Sequence, residues 1–208
     1  MKSFITVSLL AGMALASPLM ERAKIELQAR RAARQSNRFK ASKDGGFGNV
    51  TATTVESSNW SGAAIVTSGV TEVSGTFTVP KPSAPSGGSS NSEYCGAAWV
   101  GIDGYSNSAL IQTGVLWCVQ GSSYEYEGWY EYLPAALIEY SGFSVTSGNS
   151  VTVTVTKTSS SGGTTTISAN GKSASHTFSG QSTKLQVRCL RRMDRRGFPR
   201  GQLARALC

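Results

Sequence analysis

The chain is 208 residues long and carries 20 Lys and Arg against 12 Asp and Glu, but the net charge of +8 is unevenly spread. Residues 1–50 hold nine basic and three acidic side chains, residues 51–183 hold three and eight, and residues 184–208 hold eight and one. The central stretch is therefore acidic, which excludes reading the whole chain as a nucleic-acid binder. A single histidine, His176, leaves little material for a Ser-His-Asp triad or a His-ligated zinc site.

Lys2 precedes an apolar run from Phe4 to Leu15, and Ala14-Leu15-Ala16 supplies the small residues that signal peptidase requires. A signal peptide over residues 1–16 and a secreted, extracellular product are expected; the run is too short to span a membrane. Residues 17–53 are basic and poor in apolar side chains, which reads as a propeptide. Asn49 and Asn59 each begin an N-x-S/T sequon.

From Ser57 to Gly180 the chain has strand chemistry almost throughout. "TEVSGTFTV" alternates through Val73, Phe77 and Val79, and "VTVTVTKT" puts Val151, Val153 and Val155 on one face with Thr on the other. Turn-formers such as "SAPSGGSSNS", "TSGNS" and "SSSGG" separate the runs, and no window of useful length has helical period. The pattern predicts an all-β fold, two antiparallel sheets packed as a sandwich. Cys95 and Cys118 flank a strand-rich stretch, and in an oxidising compartment they are expected to be disulfide-bonded rather than metal-bound. His176 reads as a surface residue at a strand edge.

The candidate chemistry lies in "WVGIDGYSNSALIQTGVLW" and "YEYEGWYEYLP". Gln112 sits between Ile111 and Thr113 in an apolar strand, so it either points to a polar face or must find hydrogen-bond partners inside. Trp129, Tyr130 and Tyr132 suit a sugar platform, a peptide groove or cross-strand packing. A secreted carbohydrate-binding, lectin-like module is thus the alternative reading of this segment.

Four motifs in order, "SSNWSGA" from Ser57, "AAWVGIDG" from Ala97, "LIQTGV" from Leu110 and "WYEYLP" from Trp129, resemble those of the fungal glutamic peptidases, the eqolisin family. The resemblance covers residues 54–183 and implies a concanavalin-like β-sandwich, made as a preproprotein, that hydrolyses proteins or peptides at acid pH. It implies no cofactor or metal, no nucleic-acid or membrane partner, and a monomer. It assigns Gln112 as the catalytic amide that holds a water and stabilises the oxyanion, with Trp60, Asp103 and Glu131 as supporting or substrate-binding groups. The family's second catalytic residue is a Glu acting as base, the second Glu of a downstream strand similar to A-E-W-I-V-E-D-F.

No such strand follows Lys184; "RCLRRMDRRGFPRGQLARALC" stands there instead. Met is ATG and Asp begins with G, so reading one nucleotide forward across Met193-Asp194 gives TGG, a Trp codon. The same shift permits Glu for Arg192, Ile for Asp194, Val for Arg195, Glu for Arg196, Asp for Gly197 and Phe for Phe198. The permitted string is E-W-I-V-E-D-F. The expectation is therefore a sandwich that lacks its C-terminal strands, ending in an aberrant, disordered tail over 184–208 read out of frame. It retains Gln112 and lacks the base, and Cys189 and Cys208 have no native partners. Were the tail a nucleic-acid arm instead, its Arg would bind phosphates without a fold.

Overall fold

The computed structural model describes residues 21–23, 25, 41–42, 54–55, 62–65, 69–104, 108–186 and 189–193. The Val/Thr alternation is realised in β8 (Ser150–Ser159): Val151, Val153 and Val155 are fully buried while Thr152, Thr154 and Thr156 stay half-exposed. Each Val withdrawn from water stabilises the fold by about 1.5–3 kcal/mol. The Thr face is knitted by hydroxyl contacts to β3 (Glu72–Thr78), Ser74 to Thr154 and Thr76 to Thr152, both at 2.8 Å. β9 (Gly162–Ala169) and β10 (Lys172–Phe178) complete a four-stranded antiparallel sheet of order β10-β9-β8-β3. Asn170 and Gly171, at φ of 52° and 73°, turn β9 into β10 with the left-handed pair that a tight hairpin demands.

The second sheet runs β11-β4-β5-β6-β7, with β4 (Glu93–Asp103), β5 (Leu110–Gln120), β6 (Ser123–Tyr132), β7 (Ile138–Glu139) and β11 (Cys189–Met193), all antiparallel. β1 (Ala41–Ser42) and β2 (Thr54–Val55) form a separate two-stranded ladder. Ala98, Val100, Ile102, Ile111, Val115, Trp117 and Tyr132 face Val73, Val151, Val153, Val155, Ile167 and Phe178 of the first sheet, and this layer is the core. The antiparallel two-sheet sandwich is the architecture expected from the sequence.

Two features go beyond the alternation. β5 is buried at every position from Leu110 to Val119, so its outer face is covered as well as its inner one. The chain also continues into the fold past position 183: Leu185 is 3% exposed, and its amide donates to the Ser160 carbonyl at 2.7 Å. Residues 21–23 and 25 are helical, although helical period is hard to see in so short a segment. The signal run, both sequons and residues 194–208 lie outside the described residues.

Candidate functional site

The outer face of the five-stranded sheet is laid out in rows across β6, β5 and β4. Because side chains alternate, residues paired across strands share a face. Glu131, Gln112 and Gly101 form one row, and Trp129, Gly114 and Trp99 form the next. Glu127, Leu116 and Ala97 follow, then Glu125, Cys118 and Cys95. Successive rows are two residues apart, about 6.7 Å along the strands.

Gln112 and Glu131 are 0% and 1% exposed, and the Gln112 Nε2 donates to Glu131 Oε2. Of the two readings open for Gln112, the structure combines parts of both: its side chain points away from the core yet is buried and partnered. The amide oxygen, Oε1, is buried and finds no partner among the described residues. With Nε2 turned to the carboxylate, Oε1 is the acceptor that the pair presents.

Glycines make these rows possible. A Cβ on Gly114 would lie 2.2 Å from the Ala98 carbonyl oxygen and 2.5 Å from Trp99 Cβ. With no side chain between them, Trp99 and Trp129 approach with ring centroids 6.5 Å apart and planes tilted by 47°. A Cβ on Gly101 would meet Gln112 Cβ at 3.0 Å. Gly101 also pairs on its other side with position 190 of β11, so one bare position separates Gln112 from the strand added to the β4 edge.

Asp103 ends β4 on the same face, 1% exposed, at φ of 73° followed by Gly104 at 81°. A left-handed non-glycine residue costs about 1–2 kcal/mol, less for Asp, whose short side chain bonds locally. Asp103 also acts across the sheet's end: burial raises the Tyr132 pKa first, and the negative charge of Asp103 raises it further, against the lowering effect of the contact with Thr183. The Tyr132 hydroxyl donates to the Thr183 carbonyl at 2.9 Å, and Thr183 Oγ1 donates back to the Leu133 carbonyl at 2.7 Å.

Gln112 and Glu131 are thus brought together, with Asp103 on the same face, whereas Trp60 lies outside the described residues. Sequence reasoning missed Trp99, Gly101, Gly114 and Glu127. The signal was available in "YEYEGWYEY", where period 2 places Glu127, Trp129 and Glu131 on one face. The same period overturns the sugar platform: Trp129 faces outward, Tyr130 and Tyr132 face the core, and Trp129 and Tyr132 are 0% and 1% exposed. His176 is on the edge strand β10 as expected, but half-buried. It stacks on Tyr130 at 4.2 Å between centroids and 11° between planes, and burial pushes its pKa below the ordinary histidine value.

Cys95 and Cys118 oppose each other on β4 and β5, with a Cα–Cα distance of 4.1 Å, and form a disulfide. Glu93 Oε1 lies 3.1 Å from Cys95 Sγ, but an oxidised sulfur has no hydrogen to donate. Although Glu93, Cys95 and Cys118 converge, the bond between the sulfurs removes the thiolates that a soft metal would need. Among the described residues no helix is long and apolar enough to cross a membrane.

Residues 58–189 match the sequence profile of the peptidase A4 family. The chain is 38% identical over 199 residues to aspergillopepsin-2 of Aspergillus niger, covering 86% of this chain and 71% of that protein. It is 39% identical over 160 residues to scytalidopepsin B of Scytalidium lignicola, covering 74% and 58%. Among solved structures, scytalido-glutamic peptidase with a transition state analog inhibitor superposes with a TM-score of 0.58 at 33% identity, over 65% of this chain and 64% of that one. The chain therefore spans under two thirds of scytalidopepsin B and of the scytalido-glutamic peptidase structure.

Proposed function

The chain belongs to the peptidase A4 family, and on that premise we propose that its site is that of a secreted, glutamic-type acid endopeptidase acting on proteins or peptides. The observation that carries the reading is the buried Gln112–Glu131 pair on the outward face, with the Gln112 oxygen left to accept a hydrogen bond. Peptide hydrolysis needs a water held over the carbonyl carbon, a base for its proton and a donor for the oxyanion. Gln112 supplies two of these: Oε1 accepts from the water, and the second Nε2 hydrogen, not used by Glu131, is free for the developing oxyanion. An amide does this at any pH, because it does not titrate. Glu131 holds the amide in that orientation and is a positioning residue.

The base is a separate carboxylate. With a reference pKa of about 4.3, it serves on the acid side of neutrality. By resemblance it belongs to a downstream strand, in the place that Arg196 occupies in this reading of the gene. β11 is added to the β4 edge, one bare residue, Gly101, away from Gln112; position 190 stands opposite Gly101 there, so position 196 reaches the amide only where the strand read in the corrected frame pairs in a shifted register. Loss of that carboxylate leaves the chain as written without its base, and weak or absent activity is expected of it.

Secretion and a removable prosegment are part of the same proposal. The Phe4–Leu15 run and the Cys95–Cys118 disulfide support them, since disulfides persist in oxidising compartments. The test is hydrolysis of denatured haemoglobin in acidic buffer with pepstatin present, by the chain as written and by the protein read in the corrected frame, each also as Gln112→Ala. Activity confined to the corrected frame and cut about 10²–10³-fold in Gln112→Ala supports the reading. Equal activity with and without Gln112 overturns it.

A further inference from the structure

Behind the Gln112 row, on the core side of the same sheet, the apolar layer is interrupted by hydroxyls. Thr113 on β5 and Thr165 on β9 are both fully buried there, and the hydroxyl of Tyr140, just past β7, bonds to each of them. Thr113 Oγ1 lies 2.8 Å from the Trp129 carbonyl oxygen and 3.0 Å from the Tyr140 hydroxyl. A carbonyl can only accept, so Thr113 gives its one hydrogen to Trp129, and the Tyr140 phenol donates to Thr113. Burial raises the Tyr140 pKa against the opposing pull of the Thr113 and Thr165 hydrogen bonds, which keeps the phenol a donor. Ile111 and Val115 flank Thr113 on the same face, both fully buried, so a valine at 113 would continue the row. The hydroxyl is the departure, and it is bonded on both sides.

The bridge crosses β5 and β6 where the ladder is weakest. Gly114 stands opposite Trp129 and Gly128 opposite Val115, and a glycine inside a strand brings no side chain to pack and more backbone freedom to lose. Gly114 is bare so that the two indoles can converge on the outer face, and any bracing at that point comes from the core face. Thr113 is next to Gln112, and the carbonyl it holds is two residues before Glu131. We propose that Thr113 is a positioning residue: the chain from Tyr140 through Thr113 to the Trp129 carbonyl braces the glycine-flanked part of β5 and β6 from the core side, and so fixes the Gln112 amide against Glu131 on the outer side. The consequence for turnover rests on reading that pair as the peptidase site; the consequence for the amide does not.

The full chain is compared with Thr113→Val, Thr113→Ser and Tyr140→Phe by NMR. Hydrogen exchange of the Gln112 side-chain amide, identified by its loss in Gln112→Ala, is read beside backbone exchange in β8 and β9. Thr113→Val keeps the shape and removes the bridge; its Gln112 amide is expected to exchange about tenfold faster, the shift one neutral hydrogen bond is worth near the top of its range, with β8 and β9 as protected as in the wild type. Thr113→Ser keeps the hydroxyl and should stay within about twofold of wild type, and Tyr140→Phe, which removes the donor to Thr113, should fall between at about threefold. A Gln112 rate unchanged in Thr113→Val overturns the proposal. So does Thr113→Ser exchanging as fast as Thr113→Val, because packing rather than the hydroxyl would then hold the strands. Faster exchange in both sheets alike overturns it too, by making the bridge a property of the whole fold. Should Thr113→Val fail to fold, an unchanged Gln112 rate in Tyr140→Phe is the refuting result. In the corrected-frame protein Thr113→Val should lower kcat with KM kept and Thr113→Ser should restore it; a raised KM at unchanged kcat overturns the positioning role. If the amide responds as expected and no corrected-frame form hydrolyses protein, the peptidase reading fails and the positioning stands.

Discussion

Replacing Glu131 tests how far the buried pair, rather than the sheet around it, organises the site. In Glu131→Ala the Gln112 Nε2 keeps its burial and loses the acceptor that Glu131 Oε2 provides on β6, leaving an unsatisfied donor at a cost of about 1–3 kcal/mol. The lost side-chain volume, at a position 1% exposed, adds about 2–4 kcal/mol for the cavity. Together these amount to about 3–7 kcal/mol, or roughly 6–28 °C in Tm for a chain of this size. Glu131→Gln keeps the volume, and its Oε1 can still accept from Gln112. It exchanges a charge-assisted hydrogen bond for a neutral one, a loss of about 1 kcal/mol. Thermal unfolding followed by circular dichroism at neutral pH should therefore rank wild type just above Glu131→Gln and well above Glu131→Ala. In the corrected-frame protein both variants should lose kcat more than KM, because the amide is no longer held in one orientation. Equal destabilisation by Gln and Ala, or a loss below about 1 kcal/mol for Ala, would refute the argument that an acceptor is required opposite Gln112.

Gly114→Ala should destabilise by about 1–3 kcal/mol in urea unfolding, since its Cβ would stand 2.2 Å from a backbone oxygen that cannot swing aside. Removing the Cys95–Cys118 disulfide by Cys95→Ala with Cys118→Ala should cost about 3 kcal/mol, the chain-entropy value for a loop of 23 residues, measured by the same unfolding curves. His176 has its pKa lowered by burial against Tyr130, so the folded state binds fewer protons than the unfolded one between the folded value and about 6.5. Its contribution is full above about 6.5, falls as pH drops through that window and changes no further below it; Tm against pH should be flatter over the window in His176→Phe, and the imidazole should titrate below 6.5 by NMR.

Much of this arrangement can be read from residue spacing, and what cannot has physical causes. Strict alternation in "VTVTVTKT" gave β8 its faces, and the same rule applied to "YEYEGWYEY" separates Trp129 and Glu131 from Tyr130 and Tyr132. The sugar platform failed because aromatic content was weighed without the face on which each ring lies. Gln112 was ambiguous because a two-sided strand has no solvent face: β5 is buried from Leu110 to Val119, so an interior polar residue can point away from the core and still be shielded. The partner of Gln112 could not be read from spacing alone, since 19 residues and a hairpin of unknown register separate it from Glu131; pairing of Gln120 with Ser123 at the turn fixes that register.

The outer face also explains why glycine recurs in a sheet where it weakens strands. Adjacent strands stand about 4.8 Å apart, so side chains on next-but-one strands are held about 9.6 Å apart at their roots. They can meet only if the residue between them has no side chain. Gly114 lets Trp99 and Trp129 converge in this way, and Gly101 leaves the same opening between Gln112 and the strand on the β4 edge. A hydrolytic site assembled from an amide on one strand and a carboxylate two strands away requires that opening. The cost of two glycines is offset by the packing of two indoles, and on the proposed peptidase reading the amide of Gln112 sits on a rigid sheet rather than on a loop.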